Sequence, residues 1–221
     1  MNKQPHPIAV VGMSGKGKTM AFRNMNPETC GYVNSECKPL PFVNKFKHYS
    51  TPKTWQETYQ QLIEYAKNDS ITEVVLDSFS EYVDDVLKTA RDKFKNFDIW
   101  NFYNEEIGKL VFIVKHYPKD IFIIAHSANV EDENGVTERR IAVKGNEWNK
   151  AGVEKTFTIT IFADVKVVEG TKREYVLHLL SDGRTSAKTP PKFLRDGEDT
   201  IPNDCNEFLN RIRETLKQEK R

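Results

Sequence analysis

The 221-residue chain has few cysteines: Cys30, Cys37 and Cys205, an odd number without metal-ligand spacing. They suit a reducing cytosol better than a disulfide framework. No apolar run approaches the roughly 20 residues of a membrane span. The opening MNKQPHPIAVV holds one lysine and too short an apolar core for a secretory signal. The expectation is a cytoplasmic protein with no membrane partner. Excess charge is missing too. A formal net charge of +1 excludes a globally basic nucleic-acid coat, while leaving room for a local basic channel. There is no internal repeat and no low-complexity linker.

What is present reads as one α/β domain over residues 1–221, with a core at 6–127, an extension at 128–200 and a closing helix at 203–219. Short apolar runs at 8–11, 73–76 and 121–125 read as buried strands, with a weaker candidate at 31–35. Between them lie faces at helical spacing: Trp55, Tyr59, Leu62, Ile63 and Ala66; Phe79, Tyr82, Val83, Val86, Leu87, Ala90 and Phe94; Tyr103, Ile107, Leu110, Val111 and Val114. This alternation predicts a mostly parallel sheet with helices on both faces. Residues 131–140 are polar and are expected to form a mobile loop. Two strands joined through EGTKR, at 157–168 and 173–180, predict a hairpin. Phe208, Leu209, Ile212 and Leu216 mark the last helix, whose KQEKR end reads as a solvated tail.

The first strand breaks into Gly12, Met13, Ser14, Gly15, Lys16, Gly17, Lys18 and Thr19, which matches GxxxxGK[ST]. Glycines let successive N–H groups turn into one concavity that fits a phosphate chain, here at the start of an expected helix. In that arrangement Lys18 reaches the β- and γ-phosphates of ATP and the Thr19 hydroxyl binds Mg²⁺. An ordinary Gly-rich turn is the bland alternative. Lys16 reads as a solvated loop lysine.

Magnesium calls for a carboxylate partner, and EVVLDS supplies Asp77 at the end of a strand. Taken alone, Asp77 also suits a helix N-cap, a role open to Ser78. Ser78 follows the aspartate directly, so the base that activates water must come from elsewhere. Glu36, beyond GYVNS, is the first choice, since ligands of open α/β sheets collect at the carboxyl ends of strands. Glu81 is the second. A plain surface glutamate is the alternative reading of Glu36. His126 follows IFIIA in the same way and faces a choice between sensing the γ-phosphate and bonding nearby backbone.

The order GMSGKGKT, VNSE, VVLDS, IIAHS, DGRTSAKTP and IPND resembles the phage-type RecA-like P-loop ATPases, a group that includes Sak-type single-strand annealing proteins. The resemblance covers most of the chain. It implies a RecA-like core, with a C-terminal β-hairpin and helix, that binds ATP and Mg²⁺. It further implies rings or filaments on single-stranded DNA, a single-strand-binding protein as a partner, and the cytoplasm of a bacterial host. It places Glu36 as catalytic glutamate and His126 as polar sensor. Arg184 and Lys188 fall where such proteins send cations to a neighbour's γ-phosphate, with solvated loop charges as the alternative. Residues 128–150 fall where DNA is held. They carry Arg139, Arg140, Lys144, Lys150 and the stacking candidate Trp148, but also Glu131, Asp132, Glu133 and Glu138, which oppose phosphates.

Two other classes compete with a DNA-recombination ATPase. A small-molecule P-loop kinase wants an arginine-rich lid, and residues 131–150 offer only Arg139 and Arg140. A nucleotide-dependent scaffold or partner-binding switch with little turnover needs only the loop itself.

Overall fold

Alternate side chains of each apolar run part to opposite faces of one sheet. The computed structural model describes residues 5–131 and 135–219. In β1 (Pro7–Gly12), Ala9 and Val11 join one hydrophobic cluster, Ile8 and Val10 the other. The same division holds in β2 (Cys30–Asn34), β4 (Glu73–Asp77) and β5 (Asp120–Glu131). Strands covered on both faces need apolar residues at every position, which is why these runs are unbroken rather than alternating.

The remaining strands are β3 (His48–Ser50), β6 (Thr137–Ile141), β7 (Ile159–Val168), β8 (Lys172–His178) and β9 (Thr200–Pro202). Among the described residues nine strands form one sheet, in the order β3-β2-β4-β5-β1-β7-β8-β9, with β6 paired to β5. From β3 to β7 the pairing is parallel; β8 and β9 add antiparallel strands at one edge. This is the expected α/β architecture, a mostly parallel sheet with helices on both faces and a C-terminal hairpin and helix. Strand β1 lies between β5 and β7, and β4 lies beyond β5. The chain leaves β1 for β2 and β3 at one edge, then returns through β4 and β5 and passes β1 to reach β7, so that connections depart from β1 and β5 in opposite directions and the carboxyl ends of β1, β4 and β5 lie side by side.

One face is covered by α1 (Trp55–Lys67), α2 (Phe79–Lys93) and α3 (Phe97–Lys115), the other by α5 (Cys205–Gln218). Short α4 (Asn146–Ala151) precedes β7. Each of three helices opens on a side-chain cap. Thr54 accepts from Glu57 N–H, Ser78 from Glu81 N–H, and Asp204 from Asn206 and Glu207 N–H. Ser78, not Asp77, thus caps α2. No helix among the described residues is long and apolar enough to cross a membrane.

The sheet and α5 are stitched together far from the carboxyl ends. Arg213 of α5 donates to Glu73 at 2.7 Å and to Asp120 at 2.8 Å, and the backbone N–H of His6 donates to Asp120 at 3.2 Å. Both carboxylates are buried. The Asp120 carboxyl is raised by burial, but His6 and the Arg213 guanidinium outweigh this and hold it below the usual range.

Three expectations need correction. The segment after Thr19 is no full helix but a single 3-10 turn, Thr19–Phe22. Strand β2 starts at Cys30, and in those eleven residues the chain must cross from one end of the sheet to the other. An α-helix of that length covers only roughly 16 Å, which leaves nothing for the turns at its ends. Second, residues 131–140 are not simply a loop: β5 runs on to Glu131 and pairs antiparallel with β6, Ser127 opposite Ile141 and Glu131 opposite Thr137. Asp132 and Glu133 lie outside the described residues. Third, Phe94 does not belong to the buried face of α2: the helix ends at Lys93, and Phe94 is its exposed C-cap.

Candidate nucleotide site

Gly12 ends β1 where β7 runs alongside it. A Cβ on Gly12 would fall 2.7 Å from the Ala163 carbonyl oxygen, so any side chain there forces the two strands apart. Gly17 has φ +84°, a left-handed conformation that glycine adopts without strain. A Cβ on it would lie 2.7 Å from both the Tyr175 ring and the Asn203 amide nitrogen. Asn203 fixes the loop in place by donating to the Gly17 carbonyl at 3.0 Å. The loop is thus closed in from the β8–β9 side, with room for backbone only.

Lys18 is buried under this loop. Its ammonium donates to the Met13 carbonyl at 2.9 Å and lies 3.5 Å from His126 Nδ1. Burial lowers the Lys18 pKa, against the pull of the Asp77 and Glu36 carboxylates. His126 is lowered as well, first by burial and then by the Lys18 charge. The ring is therefore neutral near pH 7, with Nδ1 accepting from the ammonium. The His126 backbone N–H donates to Ser80 Oγ at 2.9 Å, which moors the end of the buried part of β5 to α2.

Thr19 Oγ1 donates to Asp77 Oδ2 at 3.0 Å, and Tyr32 Oη donates to the same oxygen at 2.6 Å. Asp77 Oδ1 is buried without a partner. Burial pushes the Asp77 carboxyl up to about 6, more than the bonds from Tyr32 and Thr19 pull it down. A hydroxyl, a carboxylate with one oxygen unspent and a phosphate cradle form a donor set of hard oxygens that suits Mg²⁺. That ion commonly takes one or two carboxylates plus substrate phosphates. Among the described residues no three His, Cys, Asp or Glu side chains cluster to hold a metal without such help.

Glu36 is held beside Asp77 by backbone. The N–H groups of Ser35 and Glu36 both donate to the Asp77 carbonyl, at 2.7 and 3.3 Å, and Ser35 Oγ donates to the Ser78 carbonyl at 3.0 Å. The Glu36 carboxylate accepts from Lys38 Nζ at 3.0 Å. A cleft of about 470 Å³ takes in Gly17, Lys18, Thr19, Glu36, Asp77 and His126, together with Lys38 and Tyr175. Glu81 opens instead onto a separate cavity with Trp55, Asp84 and Asp85.

The other predicted residues sit elsewhere. Lys16 is no free loop lysine: it pairs with Asp164 of β7 at 2.7 Å, and Arg139 approaches the other oxygen of that carboxylate at 3.5 Å. Arg184 is exposed in the turn after β8, and Lys188 donates to the Glu154 carbonyl at 2.7 Å; neither lines the cleft. Sequence reasoning missed Tyr32, Lys38, Tyr175 and Asn203. The IPND segment that contains Asn203 stood out only as part of a motif order. The Tyr32 contact depends on strand pairing, which leaves no local trace.

A family profile described as "AAA domain" matches residues 4–190. No curated protein matches the chain. Among solved structures, a KaiC-like protein, PH0186, from the hyperthermophilic archaeon Pyrococcus horikoshii OT3 is similar. Its identity is 12% over 84% of this chain and 82% of that one, with a TM-score of 0.48.

Proposed function

The chain belongs to the AAA domain family, and on that premise we propose that it binds ATP with Mg²⁺, hydrolyses it, and acts on single-stranded DNA in phage-type recombination or annealing. The observation that carries the nucleotide part is the meeting of Thr19 and Asp77 beside Lys18, with Asp77 Oδ1 left free. Held by Thr19 and Asp77, Mg²⁺ would offset negative charge on the phosphate oxygens. Lys18 exchanges the Met13 carbonyl and the His126 ring for the phosphate chain. Glu36 orients the attacking water once Lys38 releases it, and neutral His126 offers a polar contact to the terminal phosphate. Catalysis is then a matter of position and charge rather than covalent chemistry.

The DNA part draws on the β5–β6 hairpin, which rises directly from the strand that bears His126 and carries Arg139 and Arg140. Assembly into a ring or filament would bring exposed Arg184 to a neighbour's site. A second reading, a nucleotide-dependent switch with little turnover, is favoured by one observation. The cations of the hairpin region already have carboxylate partners: Arg139 with Asp164, Arg140 with Glu138 and Lys144 with Asp84. ATP hydrolysis measured with and without single-stranded DNA separates the two. Stimulation supports the DNA-dependent ATPase. Tight ATP binding with no DNA binding and no stimulation replaces it with the switch.

A further inference from the structure

The turn after β2 places one more charge at the cleft. Cys37 has φ +54°, a left-handed conformation that a non-glycine residue keeps only where its surroundings over-determine it. They do so here. The Cys37 N–H donates to the Asn34 carbonyl at 3.3 Å, and its thiol donates to the Pro52 carbonyl at 3.3 Å. The Asn34 side-chain amide, buried at the end of β2, donates to the Lys38 carbonyl at 2.7 Å. Pinned in this way, the chain doubles back at Cys37, and Glu36 and Lys38 both line the cleft. Their side chains meet at 3.0 Å. The Glu36 side chain is 25% exposed and the Lys38 side chain 73%, so the carboxylate sits against the wall while the ammonium is free to swing. The neighbours of that ammonium mark its place. Glu36 raises the Lys38 pKa, with Glu81 and Asp77 adding to it, and the Lys38 charge joins burial and Lys18 in holding His126 neutral. Lys38 thus stands among the groups expected at the terminal phosphate, whereas neither Arg184 nor Lys188 lines the cleft.

We propose that Lys38 is a terminal-phosphate contact: when a nucleoside triphosphate binds, its ammonium leaves Glu36 for the terminal phosphate. The inference rests on the nucleotide-site reading above and deepens it, because it names what lets the site tell a triphosphate from a diphosphate. A triphosphate brings to this end of the cleft a group of greater negative charge than one carboxylate. A lysine is a compact cation on a flexible stem, suited to follow that charge. A diphosphate ends short of Lys38 and leaves its pair with Glu36 intact. One movement then has two effects. A cation reaches the terminal phosphate from the same chain, and Glu36 is released only when there is a terminal phosphate to attack. In the hydrolysis that follows, the water oxygen bonds to the terminal phosphorus as the bond to the bridging oxygen breaks. The diphosphate leaves with that electron pair, the water proton passes through Glu36 to solvent, and Lys38 offsets charge on the phosphate oxygens.

Calorimetry with Mg·ADP and with the Mg²⁺ complex of a non-hydrolysable ATP analogue, on the full chain and its Lys38→Met and Lys38→Arg variants, tests this. Lys38→Met should bind the triphosphate analogue about tenfold more weakly, the loss of one charge-assisted bond, and should bind ADP as the parent does. Lys38→Arg should keep both affinities. Single-turnover ATP hydrolysis should fall about a hundredfold in Lys38→Met and stay near the parent rate in Lys38→Arg. Lys38 is an exposed side chain, so the variants should melt like the parent. The assignment is overturned if Lys38→Met keeps the parent's ratio of the two affinities, whether neither changes or both weaken together, because the lysine would then only shape the turn. It is equally overturned if Lys38→Met hydrolyses ATP faster than the parent, which would make Lys38 a clamp on Glu36 and nothing more. A parent that binds neither nucleotide brings down the phosphate site itself, a different result from either of these.

Discussion

Thr19 and Asp77 stand 58 residues apart in the chain, and their side chains meet at 3.0 Å. A carboxylate buried at the end of β4 thereby gives one oxygen to a hydroxyl from the 3-10 turn after the phosphate loop and keeps the other without a partner. The pairing fixes what each substitution nearby should do.

Asp77→Asn should separate stability from function. Ionising a carboxyl whose folded pKa is about 6 disfavours the fold at every pH above that value. Apo stability therefore falls as pH rises from the unfolded value near 4 through about 6, by on the order of 3 kcal/mol, and is level above. The variant should lack that fall and melt higher than the parent at pH 8 without metal. It should also lose the stabilisation that Mg·ATP gives the parent. Melting curves at pH 5 and pH 8, with and without Mg·ATP, check both halves; a variant that melts lower at pH 8 refutes the first.

Lys18→Ala should weaken nucleotide binding by at least about tenfold, because a buried charge-assisted contact is lost. Glu36→Gln should bind ATP normally and turn over about a hundredfold more slowly, the loss expected when a positioned base is removed. Equilibrium binding beside single-turnover hydrolysis distinguishes the two. Normal turnover by Glu36→Gln would show that another group orients the water.

Arg213→Met should be the most damaging change away from the cleft. It strands Glu73 and Asp120 as buried carboxylates, at a cost of about 3–5 kcal/mol. Adding Glu73→Gln and Asp120→Asn should recover much of it. The pH dependence has a definite sign. Asp120 is depressed in the fold, so its contribution is present above the unfolded carboxyl value and disappears as pH falls through the lower, folded one. Acid titration of stability should show this loss in the parent and not in the triple variant.

Gly12→Ala should destabilise by about 1–3 kcal/mol through overpacking against Ala163. Because the displaced strand ends in the phosphate loop, ATP affinity should fall with it. A stable variant with parental affinity would show that β1 and β7 can move apart freely.

The sequence made the inner sheet and the phosphate loop readable because both depend on local signals. An unbroken apolar run identifies a strand covered on two sides, and a glycine spacing identifies a loop that turns its amides inward. Asp77, Glu36 and His126 were legible for a related reason, since each follows such a run and the ends of parallel strands gather at one edge. The Tyr32 bond to Asp77 was not legible, because it requires the register of β2 against β4. The outer half of β5 was hidden by its exposure: Ser127 to Glu131 has no buried face, so hydrophobic alternation never developed there. The 3-10 turn after Thr19 was overlooked because its length is set by the path back to β2, a distance in space that no spacing along the chain reports.

That single turn changes the source of the attraction for an anion. A long helix beneath a phosphate loop lends the aligned dipoles of many peptides, roughly half a unit charge at its tip. Four residues, Thr19–Phe22, supply almost none of this. On the proposed function, the electrostatic pull on a triphosphate would therefore be concentrated in the Lys18 ammonium and in individual loop amides acting at short range, with Mg²⁺ adding to it where the ion is held.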